Sequence, residues 1–126
     1  MATAATLWEE LLQGEELAHL ETEPAREPRH APLPDDLHPR VREALAARGL
    51  DSLYVHQALT WDAAAKDEHV IVTTGTASGK TLAFNLPVLD ALARAPKTRA
   101  LYLYPTKALA QDQARSLATL RVPGVR

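Results

Sequence analysis

The sequence predicts an α/β fold, a parallel β-α-β-α arrangement preceded by helices and a proline-rich linker. Three observations predict it. Two short apolar runs, Val70-Ile71-Val72 and Ala100-Leu101-Tyr102-Leu103, read as buried strands. Each is followed by a turn and then by a helical apolar pattern, beginning at Leu82 and at Ala108. Strands alternating with helices point to a parallel sheet with right-handed crossovers. With 126 residues, 46% hydrophobic and 24% charged, the chain has the composition of a single globular unit.

Residues 4–20 read as an amphipathic helix, with Leu7, Trp8, Leu11 and Leu12 on one side and Gly14 weakening its middle. Residues 21–39 read as a linker. Pro24, Pro28, Pro32, Pro34 and Pro39 stand among charged residues, which favours an extended path over a packed one. A short helix is expected over 39–48: Pro39 suits its first turn, Val41 and Leu45 share a face, and Gly49 can close its end. A second is expected over 55–66, and Lys66–His69 turns into the first strand, His69–Thr73. The next helix spans 79–93, where Pro87 removes the bond to the Ala83 carbonyl and predicts a kink. The second strand covers Arg99–Tyr104, and a last helix runs over 108–120.

Two parallel strands cannot cover both faces of a sheet or close its edges. The sequence therefore reads as the front portion of a larger domain, with Val122–Arg126 leading toward a third strand. Two units are expected: residues 1–39, an acidic helix and linker, and residues 40–126, the start of the α/β domain.

The net charge of -2 conceals an asymmetry. Residues 1–39 hold nine acids and two bases, whereas residues 40–126 hold seven acids and twelve bases. From Lys80 onward only Asp90 and Asp112 oppose eight Lys and Arg, a balance that suits polyphosphate partners. Taken singly, Arg94, Lys97, Arg115 and Arg121 read equally well as a solvated face. No apolar run approaches the length of a membrane span, and the acidic start is not a secretory signal. The absence of Cys excludes a disulfide framework and a thiolate metal site, and fits a cytoplasmic location.

The chemistry concentrates in Thr74-Gly75-Thr76-Ala77-Ser78-Gly79-Lys80-Thr81. A turn of small residues between a strand and a helix lets backbone N–H groups wrap an anion. The helix start adds unpaired N–H groups and the positive end of its dipole. In such a loop Lys80 reaches the β and γ phosphates of a nucleoside triphosphate, and the Thr81 hydroxyl ligates Mg²⁺. Thr74 departs from the general pattern, which has Gly there. The competing reading is an ordinary strand-to-helix turn with a solvated Lys.

A second stretch, Tyr102-Leu103-Tyr104-Pro105-Thr106-Lys107, puts a Thr and a Lys where a strand ends and a helix begins. Ligands gather at that edge of open α/β sheets. The N–H groups, the Thr106 hydroxyl and Lys107 could hold a backbone phosphate; a tight turn with a surface Lys is the alternative. Tyr102, Tyr104, Trp8 and Trp61 read as packing residues.

The two motifs together resemble motifs I and Ia of superfamily 2 DEAD/DEAH-box helicases, and among them the YprA/MrfA-like DNA helicases. Leu53-Tyr54-Val55-His56-Gln57 is similar to that family's approach to the first strand. The resemblance covers roughly residues 40–122, with three motifs in order, and implies a RecA-like P-loop domain. Thr74 and Ala77 resemble the YprA/MrfA-like form. By resemblance, Gln57 reads the adenine edge, so the nucleotide is ATP. Gly75, Thr76, Ala77, Ser78 and Gly79 wrap the phosphates, Lys80 neutralises them, and Thr81 holds Mg²⁺. Pro105, Thr106 and Lys107 grip the backbone of single-stranded or duplex DNA with little reading of bases.

The family also needs an apolar strand ending in Asp-Glu-x-His, to hold Mg²⁺ and place the attacking water. Asp67-Glu68-His69 precedes the first strand and does not qualify. Catalytic residues, a second motor domain and its arginine finger are thus not found in these residues. ATP hydrolysis is not expected of them alone, and DNA repair is what the resemblance implies for the complete protein. Two other classes share part of the pattern. A small P-loop kinase or NTPase would use Gly79-Lys80-Thr81 without needing Gln57 or Lys107. A non-enzymatic module would bind nucleic acid or protein through the basic half.

Overall fold

The computed structural model describes residues 28–75 and 79–125. The expected helix over 4–20 lies outside the described residues. Six elements follow: β1 (His30–Pro32), α1 (Pro39–Ala46), β2 (Ser52–Tyr54), α2 (Val55–Ala64), α3 (Lys80–Arg94) and α4 (Lys107–Ala118).

β1 and β2 pair antiparallel, with His30 opposite Tyr54, Ala31 opposite Leu53 and Pro32 opposite Ser52. The ladder extends through the Val55 N–H, which donates to the Arg29 carbonyl at 3.0 Å. This pair was not expected. Prolines make residues 21–39 read as a linker, but a proline is tolerated on an edge strand, where its missing N–H costs no ladder bond. Beyond β1, Leu37 is buried in the core.

α1 starts as its sequence requires. Pro39 occupies the first turn, and the His38 ring accepts from the Arg40 N–H at 3.2 Å. Gly49 ends the following turn with φ +70°, and the Leu50 N–H returns to the Leu45 carbonyl at 3.0 Å. The inward face of α1, Val41 and Leu45, meets Leu53 of β2 and Leu86 and Leu89 of α3 in one core. Trp61 of α2 joins it and is buried, as expected of a packing residue. α3 is continuous through Pro87, with Ala83, Leu86, Leu89 and Ala93 recurring on its buried side. α2 packs against α3, which brings residues 54–57 alongside the start of α3.

Charged side chains tie the ends together. Asp90 of α3 is buried, accepts from the His38 N–H at 2.7 Å and pairs with Arg94 at 2.6 Å. Arg40 donates to the carbonyls of Ala93 and Pro123. Arg48 reaches the Thr119 carbonyl at 3.0 Å. Residues 122–125 thus fold back on α1, and Val122 enters the core.

The runs expected as parallel strands, His69–Thr73 and Arg99–Tyr104, are not paired as strands among the described residues. Ile71 is 91% exposed, and Leu101 and Leu103 are each 84% exposed. Both sides of a parallel strand need neighbours and both faces need cover. α4 likewise buries no residue fully. The α/β class itself stands; the pairing that would complete its sheet is not made by these residues. Among the described residues no helix is long and apolar enough to cross a membrane.

Candidate nucleotide and nucleic-acid site

Gly79 is the hinge of the site. It caps the N-terminus of α3 in the left-handed region, φ +75° and ψ +23°, which glycine enters without steric cost. A Cβ there would stand 2.7 Å from Gln57 Nε2 and 3.1 Å and 3.2 Å from the Tyr54 ring. Conformation and space therefore both demand glycine.

Lys80 follows at the first position of α3. Its Nζ donates to the Thr74 carbonyl at 2.8 Å and to the Gly75 carbonyl at 2.9 Å. The ammonium thus lies across the mouth of the loop, holding its entry to the helix. Thr81 is half-buried one residue further on. Thr76, Ala77 and Ser78 lie outside the described residues.

Gln57 is buried, 4% exposed, at the third position of α2. Its Oε1 accepts from the Tyr54 N–H at 2.8 Å, capping the helix. Its Nε2 donates to the Gly79 carbonyl at 2.9 Å. The structure therefore brings Gln57, Gly75, Gly79, Lys80 and Thr81 to one place. Tyr54 also belongs to it: its ring borders Gly79 and neighbours those of His30 (5.0 Å) and His56 (5.7 Å). Its signal in sequence is its place in the Leu53-Tyr54-Val55-His56-Gln57 stretch.

Pro105, Thr106 and Lys107 are exposed together at the start of α4. Thr106 caps that helix, its hydroxyl oxygen accepting from the Leu109 N–H at 3.2 Å. Its O–H hydrogen remains available to a second acceptor. Tyr102 is a packing residue, as expected: its hydroxyl donates to buried Asn85 at 2.9 Å and its ring lies 6.2 Å from Phe84. Burial pushes the Tyr102 phenol up. Asp67-Glu68-His69 forms the exposed turn after α2, with Asp67 at φ +57°. Among the described residues no group of three His, Cys, Asp or Glu could hold a metal.

The match to known proteins decides what this geometry belongs to. Residues 54–123 match the model of the DEAD/DEAH box helicase family. The chain belongs to that family. It is 50% identical over 97 residues to the uncharacterised ATP-dependent helicase YprA of Bacillus subtilis, which covers 77% of this chain and 13% of YprA. It is 35% identical over 105 residues to the ATP-dependent helicase HRQ1 of Saccharomyces cerevisiae, covering 83% of this chain and 10% of that protein. Among solved structures, the DUF1998 helicase MrfA bound to DNA superposes with a TM-score of 0.83 at 42% identity, over 95% of this chain and 17% of MrfA. MrfA bound to DNA and AMPPNP matches at the same TM-score and identity. The fold is thus part of a RecA-like helicase domain, and the chain spans about an eighth of YprA and a tenth of HRQ1.

Proposed function

We propose that this chain forms the ATP-binding front of an ATP-dependent DNA helicase. The observation that carries the reading is the Lys80 ammonium laid across the loop mouth at the N-terminus of α3, beside left-handed Gly79. A triphosphate entering there meets the helix dipole, the loop amides from Gly75 to Gly79 and a cation already in place. Lys80 exchanges its two carbonyl partners for β and γ oxygens. Gln57 selects adenine, so ATP is preferred to GTP.

The donor set fits Mg²⁺. That ion keeps several waters and takes few protein oxygens beside substrate phosphates; the Thr81 hydroxyl would be one of them, beside the carboxylate of the Asp-Glu-x-His motif that the family adds. Held through the Thr81 hydroxyl, the ion would supply charge neutralisation at the phosphates. Pro105, Thr106 and Lys107 hold a DNA backbone phosphate at the start of α4 without reading bases. MrfA, the similar protein solved with both DNA and AMPPNP, supports this pairing of ligands. The acidic residues 1–39 precede the motor domain and lend it β1 and the buried Leu37. The complete protein would work on DNA in the cytoplasm, in repair.

The test is titration of the purified chain with ATP and with single-stranded DNA. Lys80→Ala should lose ATP binding with its circular dichroism unchanged. Lys107→Ala should weaken DNA of any sequence alike and lower the salt slope by about one. ATP affinity that survives Lys80→Ala refutes the phosphate site. DNA-stimulated phosphate release from these 126 residues would refute the expectation that they bind without turnover.

A further inference from the structure

Gln57 does more in this structure than cap the start of α2. Its side chain spans from the start of α2 to the exit of the phosphate loop, residues 22 apart in sequence, and is almost wholly buried. One end takes the Tyr54 N–H and the other holds the Gly79 carbonyl. The same Nε2 fills the space that a Cβ on Gly79 would need, with the Tyr54 ring beside it.

Resting on the ATP-site reading above, we propose that Gln57 is a positioning residue for the phosphate loop as well as the adenine reader. Through Gly79 its amide fixes the peptide that aims Lys80 and the first N–H groups of α3.

The donor inventory permits both tasks at once. A primary amide carries two N–H donors and two acceptor lone pairs. Tyr54 takes one lone pair and Gly79 takes one N–H. One donor and one acceptor remain, the pair that an amide offers to N7 and the 6-amino group of adenine. Base recognition therefore need not release the loop. A ligand without a base still depends on Gln57, because the Gly79 bond orients the phosphate donors whether or not adenine is present.

The experiment compares ATP with inorganic tripolyphosphate, which has no base, by calorimetry with Mg²⁺. Gln57→Ala should weaken tripolyphosphate about tenfold, one net hydrogen bond's worth of loop orientation, and ATP by more, since ATP also loses the adenine contact. Gln57→Glu keeps the acceptor for Tyr54 but turns a carboxylate oxygen toward the Gly79 carbonyl. At pH 7.5 it should also weaken tripolyphosphate. At pH 5 a buried glutamic acid is protonated, and its O–H can donate to Gly79. Its affinity relative to wild type at the same pH should then recover, and a purely structural lesion would not do so. Far-UV circular dichroism accompanies each titration, and Gln57→Glu at the two pH values serves where Gln57→Ala does not fold. If ATP weakens while tripolyphosphate is unchanged, or Gln57→Glu stays weak at pH 5, the positioning role is overturned and the adenine role survives. If wild type binds neither ligand, the phosphate-site reading itself fails, and the positioning role with it.

Discussion

Gly79→Ala puts a methyl group into space held by Gln57 and Tyr54, on a residue whose φ is +75°. Two costs follow. A left-handed conformation costs an L-residue about 1–2 kcal/mol. The 2.7 Å approach then forces the Gln57 amide away, so that it and the Gly79 carbonyl lose their bond inside the protein, about 1–3 kcal/mol more. Together the substitution should cost about 2–5 kcal/mol, a large part of the roughly 5–15 kcal/mol that holds a small domain folded. The two costs separate in a double-mutant cycle. In a Gln57→Ala background the 2.7 Å contact no longer exists, and Gly79→Ala should then cost the backbone component, about 1–2 kcal/mol, and the smaller adjustment of the Tyr54 ring at 3.1 Å. Urea unfolding of the four proteins, followed by far-UV circular dichroism, gives the coupling. Equal costs of Gly79→Ala in both backgrounds, within about 0.5 kcal/mol, would refute the argument that Gln57 occupies that space.

Two further outcomes follow from the core. Leu86 of α3 is wholly buried among residues of α1, α2 and β2, so Leu86→Ala should lower stability by about 2–5 kcal/mol with an unchanged urea m-value; a loss below about 1 kcal/mol would mean that α3 does not centre the core. Burial raises the Tyr102 phenol above its ordinary value of 10. The folded chain therefore keeps that proton at pH values where the unfolded chain has given it up. Its contribution is complete below about pH 10 and is lost as pH rises through the folded value. Wild type should exceed Tyr102→Phe in stability near neutrality, through the Asn85 bond, by about 1 kcal/mol. The difference should shrink on passing from pH 9 to 11.5 in equilibrium unfolding; a constant difference would contradict the burial.

The four described helices were legible because their signals are local. Pro39 and Gly49 bracket α1, Gly79 opens α3 and Thr106 caps α4, each acting within a few residues of itself. The loop and its Lys were legible for the same reason. β1 and β2 were not. Each is three residues long, and they meet only because residues 30 and 54 are brought together by α1 and the turn after it. The apolar runs at 69–73 and 99–104 show the opposite case. Their composition is that of strands, but a strand exists only with a partner, and pairing is a property of distant chain segments.

Local sequence was enough to place a phosphate loop, the helix that begins at it and the family to which those residues point, since small residues, a cation and a cap act through neighbouring backbone. The tertiary structure alone decided that Gln57 holds Gly79, that Tyr54 walls the same glycine, and that Lys80 turns onto Thr74 and Gly75. Those contacts depend on α2 lying against α3 over a shared apolar core, and hydrophobic burial is non-directional: spacing in a sequence marks which faces are apolar, while only packing selects the atoms that meet.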